Sequence, residues 1–185
     1  MRIIAGTHRG RVLASVGKGD TAAHLRPTTD RVRESLFGML QGGRFADPVT
    51  GARVLDLFAG TGALGLEALS RGASQAVFVE SGRVAQRLLI ANIGTLKENA
   101  RARIVSRDAT RLGPAEAAFG LVFLDPPYGT GLGRRAMEAA LAGGWIAPGA
   151  LVVWEDSREA DLPDALIRAD ARRYGDTWIT VATAR

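Results

Sequence analysis

The run Val54-Leu55-Asp56-Leu57-Phe58 stops at a glycine turn, and that junction narrows the possible folds more than any other part of the chain. A short apolar run followed at once by helical spacing over residues 64–69 reads as strand, turn, helix. Gly60, Gly62 and Gly65 spell G-x-G-x-x-G across the turn, a spacing that lets the backbone come close to a ligand. The alternation then repeats. Residues 76–80 read as a strand, and 83–97 as a helix through Val84, Leu88, Ala91 and Leu96. Residues 103–105 and 121–125 read as strands, 134–142 as a helix, 150–155 as a strand, and 168–174 with 177–183 as a terminal β pair. Such alternation predicts an α/β fold, a doubly wound and mostly parallel sheet that binds ligands at the carboxyl ends of its strands.

Ahead of this unit the pattern changes. Residues 2–6 and 11–15 read as a hairpin around Thr7-His8-Arg9-Gly10, followed by a polar loop over 16–24. Arg26-Pro27-Thr28 leads into a helix, with Thr28 as N-cap and Asp30 in the first turn, where the helix dipole favours a carboxylate. Val32, Leu36, Met39 and Leu40 form one apolar face, Arg31 and Arg33 lie off it, and Gly42-Gly43 ends the helix. The chain thus divides into a small N-terminal hairpin and helix extension, 1–41, and an α/β domain, 42–185. Residues 1–33 hold seven Lys/Arg against two acids, Asp20 and Asp30. Lys18 and Lys97 are the only lysines, so a GC-rich coding bias is one source of the arginines. A basic arm on a near-neutral body is also what phosphate contact requires, and Arg9, Arg11, Arg26, Arg31 and Arg33 are the candidate phosphate-contacting residues.

Composition removes several classes of chemistry. The 185 residues include no cysteine, which excludes disulfides, thiolate zinc sites and cysteine nucleophiles. His8 and His24 are the only histidines, so no metal site is expected. No apolar run approaches the length of a membrane span, and the N-terminus has no secretory pattern, so a cytoplasmic protein without membrane contact is expected, and a monomer.

Read alone, the glycine turn with Glu80 twenty positions after Gly60 is a dinucleotide fingerprint. Asp56 argues otherwise. An anion just before the turn repels a pyrophosphate but holds an ammonium group. S-adenosylmethionine offers an ammonium, a sulfonium and a ribose, and no phosphate. Asp56 can take its amino-acid end, Glu80 both ribose hydroxyls, and Asp108-Ala109, after the third strand, the adenine amino group.

Asp125-Pro126-Pro127-Tyr128 ends the fourth strand. Two prolines stiffen it, remove two N–H donors and leave it rich in acceptors. An exocyclic amino group is a poor nucleophile because its lone pair is delocalised into the ring. Acceptors at Asp125 and the Pro126 carbonyl would let that nitrogen pyramidalise and would stabilise the positive charge it gains. Tyr128 offers a stacking face for a base taken out of its helix. This acceptor pair suits adenine, cytosine or guanine.

Phe58-Ala59-Gly60-Thr61-Gly62 with Asp125-Pro126-Pro127-Tyr128 resembles the class I methyltransferases that act on amino nitrogens. More narrowly, the chain resembles the RsmD family, bacterial 16S rRNA guanine-N2 methyltransferases. It does so in Arg2-Ile3-Ile4-Ala5-Gly6, Arg9-Gly10-Arg11, the blocks over 25–37 and 64–73, and Tyr174-Gly175-Asp176-Thr177. The resemblance implies a Rossmann-like, seven-stranded sheet with an antiparallel last strand. It implies S-adenosylmethionine contacts at Phe58, Ala59, Gly60, Thr61, Gly62, Leu64 and Ser81 besides the acids. It also implies a target guanine in 16S rRNA within an assembling 30S subunit, with Arg9, Arg11, Arg26, Arg31 and Arg33 of the arm as the RNA-binding residues. Ser81 stands where the family often carries a charged residue, and Gly82 would begin the next helix poorly. Three other readings stay open: a DNA adenine-N6 methyltransferase, which shares the tetrapeptide, an NAD-dependent oxidoreductase, and a non-catalytic RNA-binding module.

Overall fold

The computed structural model describes residues 1–15 and 30–185. Its elements run α1 (Asp30–Gln41), β1 (Arg53–Leu57), α2 (Ala63–Ser70), β2 (Gln75–Val79), α3 (Arg83–Leu96), β3 (Ala102–Val105), β4 (Phe119–Leu124), α4 (Leu132–Ala142), β5 (Ile146–Asp156), β6 (Leu166–Tyr174) and β7 (Thr177–Ala184). The seven strands form one sheet in the order β3-β2-β1-β4-β5-β7-β6. β3, β2, β1, β4 and β5 are mutually parallel, and β7 runs antiparallel to both of its neighbours. This is the Rossmann-like arrangement with one reversed strand that the alternation and the resemblance predict.

The central strands are mostly apolar because both of their faces are covered. On one face Phe78, Leu121, Phe123, Val153 and Val181 share a core with α1, α2 and α3. On the other, Leu57, Val122, Leu124 and Val152 pack against Ala136, Met137 and Ala140 of α4 and against Trp145 and Trp154. The strand order turns back between β1 and β4, which sit side by side with Leu57 opposite Leu124. A crevice at their carboxyl ends is where an open α/β sheet takes a ligand.

The N-terminal arm belongs to the first of these cores. Ile3, Leu13, Leu36, Phe37 and Leu40 are buried within it. The expected hairpin forms around an antiparallel bridge of Arg2 with Val12, with Ile3 N–H donating to the Arg11 carbonyl at 2.9 Å, Gly10 N–H to the Ile3 carbonyl at 2.9 Å and Leu13 N–H to the Met1 carbonyl at 3.1 Å. Other amides of the arm bond to α2. Ile4 and Ala5 donate their N–H groups to the Glu67 carboxylate at 2.8 and 3.1 Å. Thr7 N–H donates to the Ser70 carbonyl at 2.8 Å, and His8 N–H to Ser70 Oγ at 3.0 Å. The arm therefore pairs both across its own hairpin and with α2. Glu67 is fully buried, and its charge is met by these amides and by Arg71.

Two helical faces differ from expectation. In α1 the buried residues are Arg33, Leu36, Phe37 and Leu40, so Arg33 lies on the packed face. In α3 the buried set is Ala85, Leu89, Asn92, Ile93 and Leu96, while Val84 is exposed. That helix carries apolar residues on two sides, and the buried Asn92 disguises the true one. The expected loop over 16–24 and the Thr28 cap lie outside the described residues.

Candidate active site

The turn after β1 is shaped by three glycines for different reasons. Phe58 and Gly60 both adopt positive φ, at 58° and 56°, and Gly62 does so at 81°. A Cβ at Gly62 would overlap the Leu89 side chain, and one at Gly65 would overlap the Phe78 ring. Gly65 thus lets α2 lie close against β2. Ala59 N–H donates to the Val79 carbonyl at 3.1 Å and Gly62 N–H to the Ala59 carbonyl at 2.7 Å, which fixes the turn against the β2 terminus. Thr61 is buried, and its carbonyl accepts from Asn92 of α3 at 2.9 Å. Leu64, in the first turn of α2, is buried beneath.

Three acids lie at or just beyond the carboxyl ends of three successive strands around this turn. Asp56 is buried, and its Oδ2 accepts the Gly65 N–H at 2.9 Å, one of the amides that the start of a helix leaves unpaired. Burial and the nearby charge of Glu80 push its carboxyl up to about 8, against the pull of the Gly65 hydrogen bond. Glu80 follows β2 directly and holds the turn from the other side. It accepts Gly60 N–H at 2.8 Å on Oε2 and Gly82 N–H at 2.6 Å on Oε1. Gly82, in extended conformation, is the N-cap of α3, so the glycine that seemed a poor helix start is used there for its amide. Ser81 is exposed beside it. Asp108 is exposed and caps a short 3-10 turn over Ala109–Arg111, accepting Thr110 N–H and Oγ1–H at 2.8 Å each. Those bonds hold its carboxyl below the usual range, and Ala109 behind it is buried.

Asp125 follows β4 and hydrogen-bonds through its N–H to the Leu57 carbonyl at 3.3 Å, so the tetrapeptide begins beside the glycine turn. Its carboxyl is raised well above the ordinary range by burial, and further by Glu155, Asp56 and Asp156. Pro126 is buried and Pro127 exposed. Tyr128 is half-buried, donating its hydroxyl to Glu155 Oε1 at 2.8 Å, with Thr177 Oγ1 at 3.3 Å. The tyrosine ring is therefore held by the ends of β5 and β7.

Glu155 and Thr177 were not among the expected site residues. Glu155 ends the apolar run over 150–155 as Glu80 ends the run over 76–80, so the same signal was present in the sequence. Among the expected RNA contacts, Arg9, Arg11 and Arg31 are exposed, and Arg26 lies outside the described residues. Arg33 requires correction. It is fully buried, donating Nη2 to the Arg2 carbonyl at 2.5 Å and to Asp30 Oδ1 at 2.7 Å. Its task here is to tie the arm to α1, and it presents no charge to solvent.

No helix among the described residues is long and apolar enough to cross a membrane. A family model described as conserved hypothetical protein 95 matches residues 1–183. The ribosomal RNA small subunit methyltransferase D of Escherichia coli K12 is 42% identical over 164 residues, covering 88% of this chain and 78% of that protein. The protein of the same name from Haemophilus influenzae is 35% identical over 166 residues, covering 88% and 81%. Among solved structures, the Escherichia coli protein yhhF superposes with a TM-score of 0.82 at 36% identity, covering all of this chain and 98% of that one. A match that runs from the arm to β7, with a superposition that covers the whole chain, shows that the chain belongs to the RsmD family of ribosomal RNA methyltransferases.

Proposed function

We propose that this protein transfers a methyl group from S-adenosylmethionine to the exocyclic N2 amino group of a guanine in 16S rRNA, in an assembling 30S subunit. The observation that carries the reading is the junction of Asp125 with the glycine turn, joined by the hydrogen bond from Asp125 N–H to the Leu57 carbonyl. It sets an acceptor-rich strand end beside a turn built for close backbone approach.

The charges fit a cationic ligand. The groups that push Asp56 and Asp125 upward, besides burial, are all carboxylates: Glu80 for the first, and Glu155, Asp56 and Asp156 for the second. A pyrophosphate would add to that repulsion, whereas an ammonium and a sulfonium relieve it. This is the physical case against an NAD-dependent oxidoreductase. Asp56 would face the amino-acid end, Glu80 the ribose hydroxyls and Asp108 the adenine amino group, with Phe58 to Gly62, Leu64, Ser81 and Ala109 around them. Bound there, S-adenosylmethionine supplies an electrophilic methyl group.

The remaining chemistry is the chain's own. Tyr128 supplies a face on which the flipped base stacks, worth roughly 1–3 kcal/mol. Asp125 and the Pro126 carbonyl each accept one hydrogen of the amino group and localise its lone pair on nitrogen. As nitrogen gains positive charge these acceptors stabilise it. Asp125, held above the ordinary carboxylate range, is also basic enough to receive the proton that the methylated nitrogen sheds. Transfer therefore rises with pH as Asp125 ionises. The exposed Arg9, Arg11 and Arg31, with Arg26, grip phosphates of the RNA.

The test is methyl transfer from labelled donor to 30S particles. Asp125→Ala should lower transfer at least about 100-fold, as loss of a positioned acceptor does, while donor binding persists. Full activity of that variant, or wild-type transfer to duplex DNA alone, would contradict the proposal.

A further inference from the structure

Asp125 and the Pro126 carbonyl account for an amino group but not for which base carries it. The residue next to them does. β4 and β5 are parallel neighbours with Leu124 opposite Trp154, so the following residues, Asp125 and Glu155, stand side by side at the carboxyl end of the sheet. Glu155 is 5% exposed, and its Oε1 takes the hydroxyl of Tyr128, the proposed stacking platform. A carboxylate is acceptor only. Two carboxylates in adjacent register, with a tyrosine bonded to one of them, make an edge that reads donors and repels acceptors.

The amino-bearing bases differ in what lies beside the amino group. In adenine the N6 amino group is flanked by N1, an acceptor. In cytosine the N4 amino group is flanked by N3, also an acceptor. In guanine the N2 amino group is flanked on one side by N1–H, a donor, and on the other by N3, an acceptor. Guanine alone offers contiguous donors, N1–H and N2–H, to a row of acceptors on its N1 side. Resting on the methyl-transfer reading above, we infer that Glu155 is the base-reading residue of the pocket, accepting guanine N1–H while Asp125 and the Pro126 carbonyl hold the N2 amino group. Adenine or cytosine in the same place would set a ring nitrogen lone pair against a buried carboxylate. A site built to hydrogen-bond a group rejects analogues that lack it far more strongly than an apolar pocket rejects a change of size.

The test uses the full-length protein and 30S particles reconstituted with 16S rRNA carrying either guanosine or 2-aminopurine at the methylated position. 2-Aminopurine keeps the amino group but has an acceptor at N1. Wild type should favour guanosine in kcat/KM by about 100-fold or more. Glu155→Gln keeps the side-chain shape and can donate to that acceptor, so its preference should shrink to about tenfold or less. Comparing the two ratios cancels the effect of the missing O6. Tyr128→Phe removes the hydroxyl that Glu155 holds and should slow both substrates together, leaving the ratio as in wild type. Comparable wild-type rates on the two bases would overturn the inference without any variant. So would an unchanged ratio in Glu155→Gln, or a collapsed ratio in Tyr128→Phe. Those failures leave the proposed function standing, because wild-type transfer to guanosine is read in the same experiment. A wild type that methylates no guanine removes both.

Discussion

A carboxyl group at the end of a buried strand holds its proton longer than it would in water, and Asp56 shows the consequence for stability. In the unfolded chain an aspartate ionises near 4, while in the folded protein Asp56 is pushed up to about 8. Between those values the folded state binds the extra proton, so stability from this group falls as pH rises. Asp56→Asn keeps an acceptor for the Gly65 N–H and has nothing to titrate. Its Tm should therefore change less than that of wild type between roughly pH 5 and pH 8. An identical pH slope in the variant would contradict the buried, proton-holding carboxyl. Acids at strand ends are legible in a sequence, because a charge within or at the end of an apolar run is costly and needs a reason. Asp56, Glu80 and Asp125 stood out for that cause. Glu155 carried the same mark at the end of a fourth run and became visible as a site residue only through its bond to Tyr128. Arg33 could not be read at all. Its burial depends on the Arg2 carbonyl arriving from the arm, a contact 31 residues away in sequence.

At the scale of elements, the arm, α2 and α3 are joined by side chains that bond to backbone. Asn92 accepts Ala14 N–H at 2.7 Å and donates to the Ala14 and Thr61 carbonyls at 3.1 and 2.9 Å. One buried amide thus fastens the arm to the glycine turn. Asn92→Ala leaves those groups without their partner and should cost about 1–3 kcal/mol in denaturant unfolding. It should also weaken S-adenosylmethionine binding, since the turn loses its anchor at Thr61. A variant that loses stability but binds the donor with wild-type affinity would show that the anchor does not shape the turn. The elements themselves were legible, because strand and helix periods alternate cleanly from residue 53 onward. The docking of the arm was not. Hairpin spacing predicts strands that pair with each other, as they do through Ile3, Gly10 and Leu13, but it gives no sign that Glu67 and Ser70 of α2 take the amides of Ile4, Ala5 and His8. The face of α3 was displaced for a related reason: Val84 and Ile90 are apolar yet exposed, while the polar Asn92 is buried.

For the whole molecule, the arm places Arg9 and Arg11 in solvent while its core residues Ile3 and Leu13 lie under the sheet's first face. A basic loop on a well-anchored arm is suited to positioning RNA without reading its sequence. Replacing Arg9, Arg11 and Arg31 together with alanine should flatten the log–log salt dependence of RNA binding by about 2–3 units, from the counterions no longer released. An unchanged slope would return these arginines to coding bias. The fold as a whole was the most legible level, since a single glycine turn and the alternation behind it admit few topologies.

The most direct measurement of the central claim is a crystal structure with S-adenosylmethionine bound. The sulfonium should lie at the β1 turn with its methyl group facing the Asp125 carboxyl, separated by a gap that one nucleobase on Tyr128 would fill. A donor seated away from Asp125, or packed against it with no space for a base, would contradict the account.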